Sequence, residues 1–364
     1  RELFTDPHLQ SLIETGLRTN TDYQSAQLCV EEAQAVLMSA KLAFLPAFAL
    51  SPQGTVSSFD TNKATQGYSL PVTASWELDV FGRMRNSKKQ AKALYAQSED
   101  YRQAVRTQLI AGIANTYYTL LMLDEQLIIS RQTEEAWKET VASTRSLMNA
   151  GLANESAVSQ MEATYYQVQG SVLDLQQQIN QVENSLALLL AETPRNYERG
   201  TLADQQFPTD FAVGIPGSAG WTNSVGSMIL NPGKFLASAV GSLTQPLFNK
   251  GQVVAQYRIA RAQQEEAALG FQQTLLNAGS EVNDALTAYQ TSQGKRLLLD
   301  KQVTSLQTAL RSTSLLMEHT NTTYLEVLTA RQSLLSAQLS QTANHFTEIQ
   351  SLINLYRALG GGQE

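Results

Sequence analysis

From Tyr68 to Val80 apolar and polar residues alternate. Tyr68, Leu70, Val72, Ala74, Trp76, Leu78 and Val80 fall on one side of an extended chain, and Ser69, Thr73, Ser75, Glu77 and Asp79 on the other. The pattern predicts a strand over 67–81 with one oily and one wet face. At Phe81-Gly82-Arg83 the period changes. Residues 83–150 contain no proline, and Gly112 is their only glycine before Gly151, so they predict a helical rod of roughly 100 Å at 1.5 Å per residue. Upstream, 47–57 sets Phe48, Leu50, Pro52, Gly54 and Val56 against Ala49, Ser51, Gln53, Thr55 and Ser57. The polar residues between the two strands predict a hairpin loop.

Ahead of the strands, Asp6-Pro7 starts an amphipathic helix that runs through Ile13, Leu17, Leu28, Ala35 and Leu42 and ends at Pro46. After the long rod, Gly151 stops the helix, and Asn154 or Ser156 caps the next, 154–192. Pro194, Gly200, Pro208, Gly214 and Pro216 make 193–216 an irregular linker. Two further alternating stretches follow, 218–225 and 235–248, around Asn231-Pro232-Gly233. A helix over 250–319, a turn at 321–323 and a helix over 324–359 complete the chain.

The second half copies the first. A shift of 169 residues pairs Ala93 with Ala262, Gln103 with Gln272, Leu147-Met148 with Leu316-Met317, Val158 with Val327, Gln169 with Gln338 and Leu190 with Leu359. At the strand-to-helix joint Phe81 pairs with Phe248 at a shift of 167. The expected organisation is a first repeat over 1–192, a linker over 193–216 and a second repeat over 217–364. Repeat two enters its strand directly at Gly217, so a helix of roughly 35 to 40 residues, sized on its counterpart, is expected to be missing near 216/217.

Composition narrows the function. Charged residues are 16% of 364 and the net charge is −7, which argues against a nucleic-acid partner, since that needs clustered cations to displace phosphate counterions. The one basic cluster, Arg83, Arg85, Lys88, Lys89 and Lys92, sits at a helix start. Cys29, the single cysteine, reads as a small buried hydrophobe between Leu28 and Val30. No signal peptide is visible at Arg1, as is also expected of a mature or trimmed chain. No run of 18 apolar residues predicts a spanning helix, which leaves a closed β-barrel as the way to cross a bilayer.

Catalytic patterns are missing. His8, His319 and His345 have no neighbours at metal-ligand spacing, Gly360-Gly361-Gly362 closes a helix rather than cradling a phosphate, and no nucleophile elbow is present. Glu77 and Asp79 lie on the wet face of a strand and read as lumen charge rather than as acid and base. The expectation is no enzyme, no cofactor and no metal.

Four strands per chain cannot close a barrel, because even small barrels need about eight. Several chains must therefore contribute, and three would give twelve strands. The helices suit such an assembly: Leu109, Ile113, Leu120, Leu123 and Leu127 make a narrow oily seam, with Gln, Ser and Thr elsewhere. Helices of that kind can wall a hollow tube. A non-conducting periplasmic coiled-coil scaffold is the competing reading, and it has no use for the strands.

Trp76-Glu77-Leu78-Asp79-Val80-Phe81-Gly82-Arg83, the echo Gln245-Pro246-Leu247-Phe248 and the ending from Leu355 to Gly362 resemble the TolC-like outer membrane factor family, in particular its lipoprotein-type efflux branch. The resemblance implies a mainly α protein with a membrane β-barrel. Its strand hairpins and long helical hairpins would assemble as a homotrimer, a 12-stranded barrel set on an α-helical barrel. It implies an exit duct in the outer membrane, in contact with outer-membrane lipid and reaching into the periplasm of a Gram-negative bacterium. Such a duct works in tripartite efflux or type I secretion and is gated at its helical tips by a periplasmic adaptor and an inner-membrane pump.

Carried over by position, Gly151 and Asn154 in one turn, and Thr320, Asn321, Leu325 and Glu326 in the other, match the family's periplasmic tips. Leu325 matches a position that often forms an apolar constriction. Thr329 stands where members with an acidic ring have Asp, and Glu326 and Arg331 read either as gate residues or as plain helix surface. The barrel-to-helix joints fall at Phe81, Gly82 and Arg83 and at Pro246 and Phe248. Members of the branch begin at a lipidated cysteine, and Cys29, inside a helix, does not match it.

Overall fold

The computed structural model describes residues 4–57, 65–151, 153–205, 252–319 and 324–360. The expected strands at 218–225 and 235–248, the second joint at Pro246 and Phe248, the position of the missing helix, and Thr320 and Asn321 lie outside the described residues. Ten elements are described: α1 (Pro7–Thr19), α2 (Thr21–Leu42), β1 (Ala47–Leu50), β2 (Gln53–Ser57), β3 (Thr65–Ser69), β4 (Val72–Ser75), α3 (Arg83–Asn149), α4 (Glu155–Leu189), α5 (Gln252–His319) and α6 (Tyr324–Ala358). The first residues of α3 and α5 lie 169 residues apart, as do both ends of α4 and α6.

The single first helix expected from the sequence is two helices. Asn20 is extended (φ −62°, ψ 126°) and its side-chain oxygen accepts from the Tyr23 N–H at 2.9 Å, so it caps α2 while closing α1. Its Nδ2 donates to the Leu189 carbonyl at 2.9 Å, and the Thr19 hydroxyl donates to the Leu190 carbonyl at 2.6 Å. The break thus ties α1 to the end of α4. Cys29 also departs from expectation, being exposed. The buried stripe of α2 is Ala26, Val30 and Leu37; at 100° per residue Cys29 falls about 80° to one side of its centre, and exposed Leu28 falls opposite it.

The strands are shorter than the alternation predicts, yet they keep one register. β1 pairs antiparallel with β4 (Ala47 opposite Ser75) and β2 with β3 (Gln53 opposite Ser69), so the two ladders are halves of one hairpin. The break falls where Pro52 and Pro71, which lack an N–H, interrupt the ladder, and only the Ser51 N–H to Pro71 carbonyl bond at 3.2 Å crosses it. Residues 76–81 are not strand. The register pools the oily sides: Leu50 faces Val72, Phe48 faces Ala74 and Gly54 faces Tyr68. These apolar side chains are uncovered, Phe48 being 72% exposed and Tyr68 83%.

By contacts the chain divides into two units. In the unit of residues 206–281 the described part is the beginning of α5, where every described side chain is exposed. The unit of residues 3–205 and 282–364 holds the core. Leu109, Ile113, Leu120 and Leu123 of the expected seam are buried, with Tyr117, Tyr118 and Leu121 beside them. Gly16 of α1 lies so close to α3 that a Cβ there would meet the tip of Ile113 at 2.4 Å. Near residue 292, α5 and α6 run antiparallel, joined by Asn344 Nδ2 to the Ser292 carbonyl (2.9 Å) and Gln341 Nε2 to Asp300 (2.6 Å).

Candidate functional site: the joint, the belt and the tip

The joint is built by a change of backbone direction. Gly82 takes a left-handed conformation (φ 75°, ψ 14°) at the N-cap of α3, where it has no side chain to cap with. Asp79 supplies the cap: its two oxygens accept from the N–H groups of Met84 and Arg85, each at 3.0 Å. Glu77 accepts from the Arg83 guanidinium at 2.6 and 2.7 Å. The lumen reading of these carboxylates is therefore corrected: they fasten the strand's end to the helix start, because residues 76–81 have left the ladder. Trp76 donates from its indole N–H to the Phe44 carbonyl at 3.1 Å, and the Lys88 ammonium lies 5.7 Å from the centre of the Phe44 ring. Phe81, at the turn itself, is exposed.

A polar belt joins the start of α1, α3, α4 and the 197–205 segment. Tyr117 donates its hydroxyl to Asp6 at 2.6 Å and accepts from the Gly200 N–H at 3.1 Å, while Gln205 donates to the same Asp6 oxygen at 2.9 Å. Burial alone would push the Asp6 carboxyl up, but its hydrogen bonds from Tyr117, the His8 N–H and Gln205 outweigh that and hold it below its ordinary value. Burial and the neighbouring carboxylate push the Tyr117 hydroxyl well above the usual phenol range. Arg199 forks between Asp124 (2.5 and 2.9 Å) and Glu183 (2.6 Å), and the bonds to Asp124 keep it firmly cationic. The segment read from sequence as irregular linker is, over 197–205, docked on α3. The pairing of Asp6 with Tyr117 was not legible because it spans 111 residues; the one available signal was a cluster of charged and aromatic residues inside a proline-flanked loop.

At the tip, Gly151 is left-handed (φ 75°) and its N–H reaches back to the Met148 carbonyl at 3.0 Å, closing α3. Asn154 caps α4 by accepting from the Ala157 N–H at 2.8 Å. Arg145 and Glu162 form an ion pair that bridges the two helices. Trp137, 1% exposed, centres a cluster with Met161 and Val168, against which Val141, Tyr165, Leu328 and Leu335 pack. Arg331 belongs to this cluster. Its guanidinium donates to the Ala136 carbonyl at 3.0 Å, lies 6.0 Å from the Trp137 ring centre, and is destabilised as a cation by burial, with Glu139 opposing. Its Nε has no hydrogen-bond partner among the described residues. Glu326 and Thr329 are exposed near the start of α6, Leu325 lies in its first turn, and Arg331 is turned into the helix interface instead. Trp137 was missed from sequence, where it reads as one aromatic in a polar stretch.

Among the described residues no helix is long and apolar enough to cross a membrane, and no three His, Cys, Asp or Glu side chains could share a metal ion. The family model described as outer membrane efflux protein matches residues 12–192 and 210–361. The cation efflux system protein CusC of Escherichia coli K12 is 24% identical over 403 residues, covering 100% of this chain and 88% of that protein. The toluene efflux pump outer membrane protein TtgC of Pseudomonas putida is 26% identical over 413 residues, covering 100% and 84%. The probable outer membrane lipoprotein SilC of Salmonella typhimurium is 24% identical, covering 100% and 87%. Among solved structures, the outer-membrane channel OprN superposes with a TM-score of 0.85 at 23% identity, covering 100% of this chain and 93% of that one. VceC of Vibrio cholerae gives 0.81 at 22%, covering 99% and 98%.

These are channel proteins rather than enzymes. With a hairpin that leaves its oily face uncovered, a capped joint, long helices and a family match over most of its length, the chain belongs to the outer membrane efflux protein family, channels of the Gram-negative outer membrane that extend into the periplasm.

Proposed function

We propose that the chain is one third of a passive exit duct for a tripartite efflux or type I secretion system. The observation that carries this reading is the β1–β4 hairpin, whose register gathers Phe48, Leu50, Val72 and Tyr68 on one side and leaves them uncovered. In water such a face would associate without specificity; in a bilayer it is at home, provided the strand edges are paired. The duplication in the sequence makes the alternating stretches 218–225 and 235–248, outside the described residues, candidates for a second hairpin, and on that reading three chains close twelve strands. Below the joint, α3 to α6 of three chains form the tube. Apolar residues left exposed on α5, among them Tyr257, Leu269, Phe271 and Leu276, are covered by the neighbouring chain.

No bond is made or broken in this mechanism. Cargo passes down a polar bore, and the tips, formed by the turns at Gly151 and Asn154 and at Thr320 to Glu326, open when an adaptor and pump engage them. By their position at the start of α6, Leu325, Glu326 and Thr329 are assigned to that closure. The relatives range from a cation efflux to a toluene efflux protein, which suits a duct whose pump selects the cargo. Alignments of 403 to 413 residues against a chain of 364 leave relatives with positions the chain lacks, in keeping with a helix absent near 216/217.

Single-channel recording in a planar bilayer tests the reading. Discrete conductance steps are expected, rare in the closed protein and frequent after the tip is loosened by Gly151→Pro with Asn154→Ala. A protein that inserts and never conducts, loosened or not, is the scaffold instead.

A further inference from the structure

The first three turns of α3 carry more positive charge than the fold pairs. From Arg83 to Ser98 there are five cations and no acid, in a chain of net charge −7. The amides of the helix start are already occupied by Asp79, and Arg83 by Glu77. At 100° per residue Arg85, Lys88, Lys89 and Lys92 fall within an arc of about 100°, beside the stripe of Met84 and Ala91 that is buried against the rest of the unit. All four are exposed, and among the described residues no ion pair takes Lys88, Lys89 or Lys92. Arg85 reaches Asp79 only at 3.6 Å.

The surroundings say what the arc faces. Trp76, Leu78, Val80 and Phe81, all exposed, lie between the end of β4 and the first turn of α3. Trp76 is held by the Phe44 carbonyl and Lys88 lies over the Phe44 ring. An apolar strand face, then aromatic rings, then a row of long cationic side chains is the order met in passing from acyl chains through the interface to the headgroups. A helix start of this kind does not require the arc. At the 169-residue offset α5 has Val254 and Tyr257 in place of Arg85 and Lys88 and keeps cations only at Arg258 and Arg261, of which Arg261 lies 3.5 Å from Glu265.

Resting on the membrane reading of the strands, we propose that Arg85, Lys88, Lys89 and Lys92 form a seat for anionic phospholipid headgroups of the periplasmic leaflet. The seat binds the phosphate-bearing lipid at the rim of the barrel and fixes the depth at which strand becomes helix. The occupant is lipid rather than free phosphate, because the cations adjoin an apolar band that only an acyl chain can cover.

The test uses the whole protein in vesicles of phosphatidylcholine with a few per cent spin-labelled phosphatidylglycerol or phosphatidylcholine, reading the motionally restricted fraction of each. The wild type is expected to prefer phosphatidylglycerol several-fold, on the order of 3 to 10, with the preference shrinking in high salt. K88Q/K89Q/K92Q should bring the ratio close to one, and K88R/K89R/K92R should retain it. A wild-type ratio of one, or a ratio unchanged in the glutamine variant, overturns the seat. Conductance recorded on the same vesicles separates the two readings: a protein that conducts without lipid preference overturns the seat alone, and one that never enters the bilayer overturns both.

Discussion

Two helices of nearly equal length, α3 and α5, begin 169 residues apart and meet different fates. Tyr117 of α3 is 0% exposed, beneath α1 and the docked 197–205 segment, while Leu286, at the same offset on α5, is 37% exposed. The difference shows where the chain supplies its own cover. The N-terminal helices and the belt cover α3 around Tyr117, whereas apolar residues of α5 such as Leu286 stay exposed.

The comparison can be broken most forcefully at Tyr117. Tyr117→Ala removes a buried ring and strands Asp6 and the Gly200 N–H, and should cost about 3–5 kcal/mol. In denaturant unfolding Leu286→Ala should cost far less in the monomer and gain effect only in the assembly. Equal losses in the monomer would contradict the contrast. The same site gives a pH signature. The Asp6 carboxyl is held below its ordinary value of 3.8, so its contribution is present at neutral pH and disappears as pH falls below that value through the folded pKa. Tyr117→Phe should weaken this acid dependence.

Arg199→Ala leaves Asp124 and Glu183 facing each other without their cation and should cost about 3 kcal/mol, read as a lowered unfolding midpoint; on α5 the position equivalent to Asp124 is the uncharged Gln293, so no matching ion pair is there to lose. Gly82→Ala should cost about 1 kcal/mol from the left-handed backbone alone, since a Cβ there meets nothing within 4 Å. The smallest expected effect is at Arg331, a half-buried cation with one hydrogen bond: Arg331→Met should leave stability within about 1 kcal/mol. If it also leaves closed-state conductance unchanged, Arg331 is helix packing; a leak would assign it to the gate.

The helices were legible to within a few residues at most ends, because apolar period and the stop at Gly151 are local signals. The strands were legible as faces but not as lengths: alternation runs through Pro52 and Pro71, whose missing N–H groups interrupt the ladder. Asn20 hid a helix break, because a capping residue inside a periodic stretch leaves the hydrophobic pattern intact. The belt was not legible at all, since Asp6, Tyr117 and Gln205 meet only through the tertiary fold. Of the candidate site, Gly82, Gly151 and Asn154 follow from turn and cap chemistry, whereas the burial of Arg331 against Trp137 depends on how α6 lies across α3.

The central claim is that one chain is an incomplete part of a closed channel, and the mass of the particle released from the membrane in a mild detergent tests it most directly. Three copies of the 39.9 kDa chain are predicted, giving twelve strands and a neighbour for every α5. A stable monomer or dimer as the membrane-inserted form would contradict the account.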